Sequence, residues 1–144
     1  MKNVTKMKIF RPVNVVFEAF VDPSKIGNYW FSSSSERWEQ GKTVTLRYEE
    51  YDAQGDINII EIKDNKKIVF RWGSNEEEHL VTISLHALDN ATIVEVVEEG
   101  FNDNDDNLIR NIVDNKEGWV YMLTCLKGYL ESGNNTLRAA LVKG

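Results

Sequence analysis

The stretch that decides the fold is GWVYMLTCLKGYLESG, residues 118–133. Trp119, Met122, Leu123, Leu126 and Leu130 recur three and four apart, which is the spacing of one buried helical face. The helical pattern reaches back toward Leu108, and the part expected to cover the core is 115–132. A single long amphipathic helix needs an apolar partner, so the rest of the chain must supply one.

That partner is a sheet. From about residue 35 to 99 the pattern is two-residue alternation. Val44, Leu46 and Tyr48 share a face, as do Ile68, Phe70 and Trp72, then Val81, Ile83 and Leu85, then Val94 and Val96. Turns are expected at Asp52–Gly55, at Asp64–Lys66 and at Asp89–Asn90, where Asp, Asn and Gly suit tight backbone. Within INIIEI, residues 57–62, the apolar parity shifts between Ile59 and Ile60, which predicts a β-bulge. Before the sheet comes a strand over 4–10. A helix follows, opened by Pro12 as its first residue and burying Val16, Phe17 and Phe20. A short second helix runs through Tyr29, capped from Asp22-Pro23-Ser24. Helices segregated from an antiparallel run of strands give an α+β fold.

The chain has 144 residues, a length that favours one domain spanning 1–144. Its net charge of -6 argues against a nucleic-acid partner, because phosphate binding needs clustered Lys and Arg. The one cysteine, Cys125, excludes an intrachain disulfide and a cysteine zinc cluster, and it suits a reducing cytoplasm. No apolar run approaches a membrane span, and MKNVTKMKIF lacks the layout of a signal peptide.

VFRW at 69–72, the threonine and alternating valines of 92–96, Gly100-Phe101 and the 118–133 segment resemble the activator of heat-shock-protein-90 ATPase homologue-like family. The likeness covers nearly the whole chain and lies in the order and spacing of these motifs. The family sits in the START-like, SRPBCC or birch-pollen-allergen-like superfamily. The resemblance implies a helix-grip fold: a curved antiparallel sheet wrapped around a long C-terminal helix, with two short helices after the first strand. It also implies a cavity between sheet and helix, which in the superfamily often takes hydrophobic small molecules. Eukaryotic namesakes stimulate a chaperone beside a second domain, for which this chain is too short.

Gly118 weighs two ways. Either Asp114 or Asn115 caps the helix and Gly118 falls in its first turn, or backbone and sheet approach too closely for a Cβ. The resemblance, which places Gly-Trp at the helix–sheet contact, favours the close approach. Glu98 follows the inward parity of Val94 and Val96 near a strand end. It is either solvated beyond that end or a polar handle at a cavity mouth. His79 and His86 are seven apart and fall on opposite faces; each is read as solvated, with His79 in a loop after Glu76-Glu77-Glu78. Asp103, Asp105, Asn107 and Asp114 have calcium-loop spacing but lack its Gly and Glu, so they read as a polar loop before the helix. Cys125 reads as a buried, inert thiol.

The function expected is non-enzymatic binding of a lipid-like or aromatic molecule between sheet and helix. Its walls would be Trp38, Tyr48, Phe70, Trp72 and Val94 from the sheet side, and Trp119, Leu123 and Leu126 from the helix, with Glu98 as the polar group. No cofactor and no metal are implied. A chaperone-modulating interaction module is the second reading. A polyketide aromatase or cyclase is the third, and it would need a convergent acid–base pair inside the cavity. The chain is read as a monomer or homodimer.

Overall fold

The computed structural model describes residues 1–74 and 77–142. Strand β1 (Lys2–Ile9) leads into helix α1 (Val13–Val21) and a single 3-10 turn (Ile26–Asn28). Then come β2 (Ser33–Ser34), β3 (Thr43–Tyr48), β4 (Ala53–Lys63), β5 (Lys67–Ser74), β6 (Glu77–Leu88) and β7 (Ala91–Glu99). The long helix α2 (Leu108–Ser132) follows. The strands form one sheet in the order β1-β7-β6-β5-β4-β3-β2, antiparallel at every pairing. This is the α+β helix-grip architecture that the sequence implies.

Alternation explains the strands. In β6, Val81, Ile83 and Leu85 are buried while Thr82 and Ser84 are only half-buried. The bulge in β4 is present: the pairing to β5 slips between Ile59 and Glu61, and Ile60 is left exposed. The turn expected at Asp52–Gly55 lies earlier. Residues Glu49–Tyr51 form a 3-10 turn and Asp52 takes a left-handed φ of 48°, so Tyr48 already faces Ala53 across the hairpin and Gly55 is a strand residue. Asn65 and Asp89 supply the left-handed positions of the next two hairpins.

Pro12 stands just before α1 rather than as its first residue; its carbonyl accepts the Val15 and Val16 amides. Asp22 ends α1, its amide donating to the Glu18 carbonyl, and does not cap the 3-10 turn, which follows Lys25; its carboxylate accepts the Ser24 amide and hydroxyl. Burial of Val16, Phe17 and Phe20 holds α1 on the sheet, each contributing roughly 1.5–3 kcal/mol.

Helix α2 lies along β1, the open edge of the sheet. Lys127 Nζ donates to the Lys8 carbonyl at 2.8 Å, Lys116 Nζ donates to Val4, and Asn3 donates to the Ile112 carbonyl at 2.9 Å. Lysines spent on edge carbonyls guard that strand against further pairing. The helix starts at Leu108 after Asn107, with no side-chain cap. Asp114 and Asn115 are therefore interior residues, not caps. Gly133, at a φ of 73°, ends the helix by donating to Tyr129, the usual left-handed glycine stop. The chain then turns back beneath the helix.

Candidate functional site

Three aromatic side chains build a partition inside the molecule. Trp72 from β5 and Trp119 from α2 stack at 5.3 Å and 23°. Trp30, carried in after the 3-10 turn, meets Trp119 at 5.5 Å and Trp72 at 6.3 Å, edge to face. It also meets Phe31 at 4.8 Å, Trp38 at 6.1 Å and Phe20 at 6.4 Å. Such edge-on and offset contacts between rings are favourable beyond their buried area.

On one side of this partition the interior is filled. Trp38, Phe70, Val94, Leu123 and Leu126 are at most 1% exposed, and Trp38 packs on Phe70 at 5.5 Å. On the other side a pocket of about 960 Å³ opens, lined among others by Tyr48, Trp72, Glu98 and Trp119. Of the nine residues expected to line a cavity, those four do so. The other five are buried in the core, and Trp38 among them packs against Trp30, which itself lines the pocket.

Glu98 is the polar centre of the pocket wall. Strand β7 runs through Glu99, so Glu98 keeps the inward parity and is 1% exposed. Its carboxylate accepts Trp119 Nε1–H at 2.7 Å and Trp72 Nε1–H at 3.1 Å. His79 Nδ1 lies 2.6 Å from the same oxygen that takes Trp72. An indole can only donate, so both carboxyl oxygens accept, and the tautomer of His79 with its proton on Nδ1 supplies a third donor to the ionised carboxylate. Three hydrogen bonds offset the desolvation that makes a lone buried carboxylate costly.

His79 is thus not a solvated loop residue. It pairs with Trp72 across β5 and β6, and it is buried. Its ring lies 4.5 Å from Phe101. Gly100, at a φ of 113°, leaves room for it: a Cβ there would sit 2.9 Å from the Glu78 carbonyl and 3.2 Å from the His79 ring. The Gly100-Phe101 motif is the seat of the histidine. Counting inward parity back from Val81 would have found His79; the acidic run ahead of it hid the start of β6. His86 is exposed on the opposite face, as its spacing requires.

Gly118 also differs from expectation. A Cβ on it would meet nothing within 4 Å, so no sheet backbone presses against it. Instead Gly118 lines the pocket, with Asp114 and Asn115 one turn away. A bare stretch of helix backbone faces the space.

The far side of the mouth is built by the chain after α2. Tyr121 donates to the Leu137 carbonyl at 2.6 Å. Arg138 donates Nε–H to the Trp30 carbonyl at 2.7 Å and pairs with Glu50, holding the Glu50 carboxyl down to about 2. Its guanidinium stands 5.8 Å from the Tyr48 ring. Burial pushes the Tyr48 phenol up to about 12, so its hydroxyl is a neutral donor over the physiological range. Burial also raises the Cys125 thiol, which suits an inert side chain. Among the described residues no three His, Cys, Asp or Glu side chains are placed to hold a metal ion, and no helix is long and apolar enough to cross a membrane.

Residues 11–131 match the family described as Activator of Hsp90 ATPase homolog 1-like protein. The chain belongs to that family. Among solved structures it is similar to the protein SSP2350 from Staphylococcus saprophyticus, at 52% identity, covering 94% of this chain and 95% of that one with a TM-score of 0.83. The Aha1 dimer from Colwellia psychrerythraea shares the fold at 18% identity, with 92% and 98% coverage and a TM-score of 0.78. DynU16, a putative protein in the dynemicin biosynthetic locus, does so at 21% identity, with 93% and 48% coverage and a TM-score of 0.82. No curated protein matches the chain.

Proposed function

We propose that this member of the Activator of Hsp90 ATPase homolog 1-like family binds an apolar, aromatic small molecule in the pocket between strands β3 to β7 and α2. The observation that carries the reading is an indole- and phenol-walled space of about 960 Å³ with a buried, fully hydrogen-bonded carboxylate in its wall. That volume lies within the range of drug-sized ligand sites, which combine apolar walls with a few placed polar groups. Apolar burial drives binding, and Tyr48 and the His79 ring fix orientation by hydrogen bonds. A structural neighbour from a biosynthetic locus fits a small-molecule ligand. Native mass spectrometry of protein purified from its own cells is expected to show a co-purifying adduct. A ligand screen is expected to raise the melting temperature for aromatic compounds. No adduct and no shift across such a screen would refute the reading.

A second reading rests on a separate observation. Ile109, Val113 and Val120, four and seven apart on α2, are exposed and share its outer face. With the family's name, this stripe fits a modulator that docks on a chaperone. Stimulation of a purified chaperone ATPase that is lost in Val113→Asp would support it. Equal rates with and without the protein would reject it.

A further inference from the structure

The pocket wall contains a connected chain of acid and base groups that ligand binding alone does not require. Buried Glu98 holds His79 Nδ1 at 2.6 Å, and on the other side of the ring Nε2 lies 3.4 Å from Glu77 Oε1. Exposure rises along the row: the side chains of Glu98, His79 and Glu77 are 1%, 11% and 40% exposed. Phe101 against the ring and the missing Cβ of Gly100 fix the imidazole in place. In the neutral ring with Nδ1–H on Glu98, Nε2 carries the lone pair, so its 3.4 Å contact with Glu77 becomes a hydrogen bond only once Nε2 is protonated; all three residues line the pocket. A carboxylate that fixes the tautomer of a histidine whose other nitrogen faces a pocket has the geometry of a general base. A purely structural wall would be served as well by apolar side chains, which avoid the desolvation of a buried charge.

We propose that His79, oriented by Glu98, is a general base that removes a proton from an apolar molecule bearing an acidic C–H, such as one next to a carbonyl. This rests on the pocket being a small-molecule site. The substrate C–H bond breaks and its proton moves to Nε2, while the electron pair passes into the carbonyl to give an enolate. Glu98 stays ionised and stabilises the imidazolium through the Nδ1–H bond. The Tyr48 hydroxyl, in the same pocket, is a neutral donor available to the enolate oxygen. Glu77, at the wet rim, takes the proton from Nε2 to solvent and restores the base; its long contact leaves it free to swing aside when substrate enters. Reprotonation of the enolate at another atom, by a proton returned from solvent, completes an isomerisation; attack of the enolate carbon on a second carbonyl of the same molecule forms the ring bond, breaks that C=O π bond, and gives an alkoxide that takes its proton from solvent.

Nitrobenzisoxazole is a suitable probe. It is aromatic and uncharged, and loss of its ring proton to a base breaks the N–O bond to give a coloured cyanonitrophenolate. The wild-type protein is expected to turn it over saturably. His79→Gln, which still donates to Glu98, is expected to lower kcat by about 100-fold. Glu98→Gln is expected to lower kcat with little change in KM and to move the pH–rate profile, because Glu98 positions the base and never touches the probe. His86→Gln, on the opposite face, is expected to leave the rate unchanged. Probe binding is followed separately by tryptophan quenching. Saturable binding with a turnover that His79→Gln does not reduce, or that His86→Gln reduces equally, overturns the base and leaves the binding site standing. Absence of saturable binding overturns both. Melting curves show which variants fold. If His79→Gln does not, Glu98→Gln and the wild-type pH–rate profile decide.

Discussion

At the scale of single residues, two glycines and one carboxylate shape the pocket wall and the seat of His79. Gly118 lies eleven residues into a helix and has no backbone against it. Gly118→Ala is therefore expected to stabilise the protein by about 1 kcal/mol, the cost of a helix-interior glycine, as read by urea unfolding; a destabilised variant would mean that the site tolerates no Cβ. Gly100→Ala should do the reverse and cost more than 1 kcal/mol. Its φ is 113°, and its Cβ would press on the Glu78 carbonyl. Glu98→Ala is expected to cost on the order of 3 kcal/mol, since two indole donors and an imidazole lose their acceptor. A loss under about 1 kcal/mol in the same assay would mean that water replaces the carboxylate. Part of this was legible. Alternation placed Glu98 inward, and only the position of the strand end kept its burial open. The glycine of Gly100-Phe101 could be noticed in the sequence, but its reason is a cross-strand neighbour, His79. Which residue lies opposite which depends on hairpin register, and register is set by turns that a sequence locates to within a few residues.

At the scale of elements, the segment after α2 is the part with no sequence signal. Residues 134–142 have no periodicity, yet Arg138 and the Leu137 carbonyl hold them over the pocket mouth. The tie is charge-dependent. Glu50 is ordinarily near 4.5 and is held at about 2 in the folded protein. A depressed carboxyl favours the tied state above its unfolded value, so the tie is complete above pH 4.5 and is lost as pH falls toward 2. The Arg138 Nε–H resonance is expected to stay sharp at pH 6 and to broaden between pH 4.5 and 2, with an Arg138→Lys variant frayed throughout; no change over that range would detach the segment from Glu50. The helix itself was readable from its stripe of Trp119, Met122, Leu123 and Leu126, all now buried. Its start at Leu108 was less so. Asp114 and Asn115 look like capping residues, and nothing local says that the helix has already run for six residues before them.

For the molecule as a whole, an antiparallel sheet covered by one long helix followed from alternation and from one amphipathic stripe; the pairing of β1 with β7 did not. Nor did the boundary between core and pocket. Trp30 sits in an irregular segment after a 3-10 turn, outside any period, and its ring touches Trp38 in the core as well as Trp72 and Trp119 on the pocket wall. The chain has four tryptophans, one of which is an internal control. The most direct measurement of the pocket is the set of indole N–H resonances of isotopically labelled protein during titration with an uncharged aromatic compound such as naphthol. Trp30, Trp72 and Trp119 line the pocket, whereas the Trp38 indole lies in the core against Ser34. If the pocket is the binding site, three resonances shift saturably while Trp38 stays in place. Shifts of all four in proportion to added compound, or of none, would contradict it.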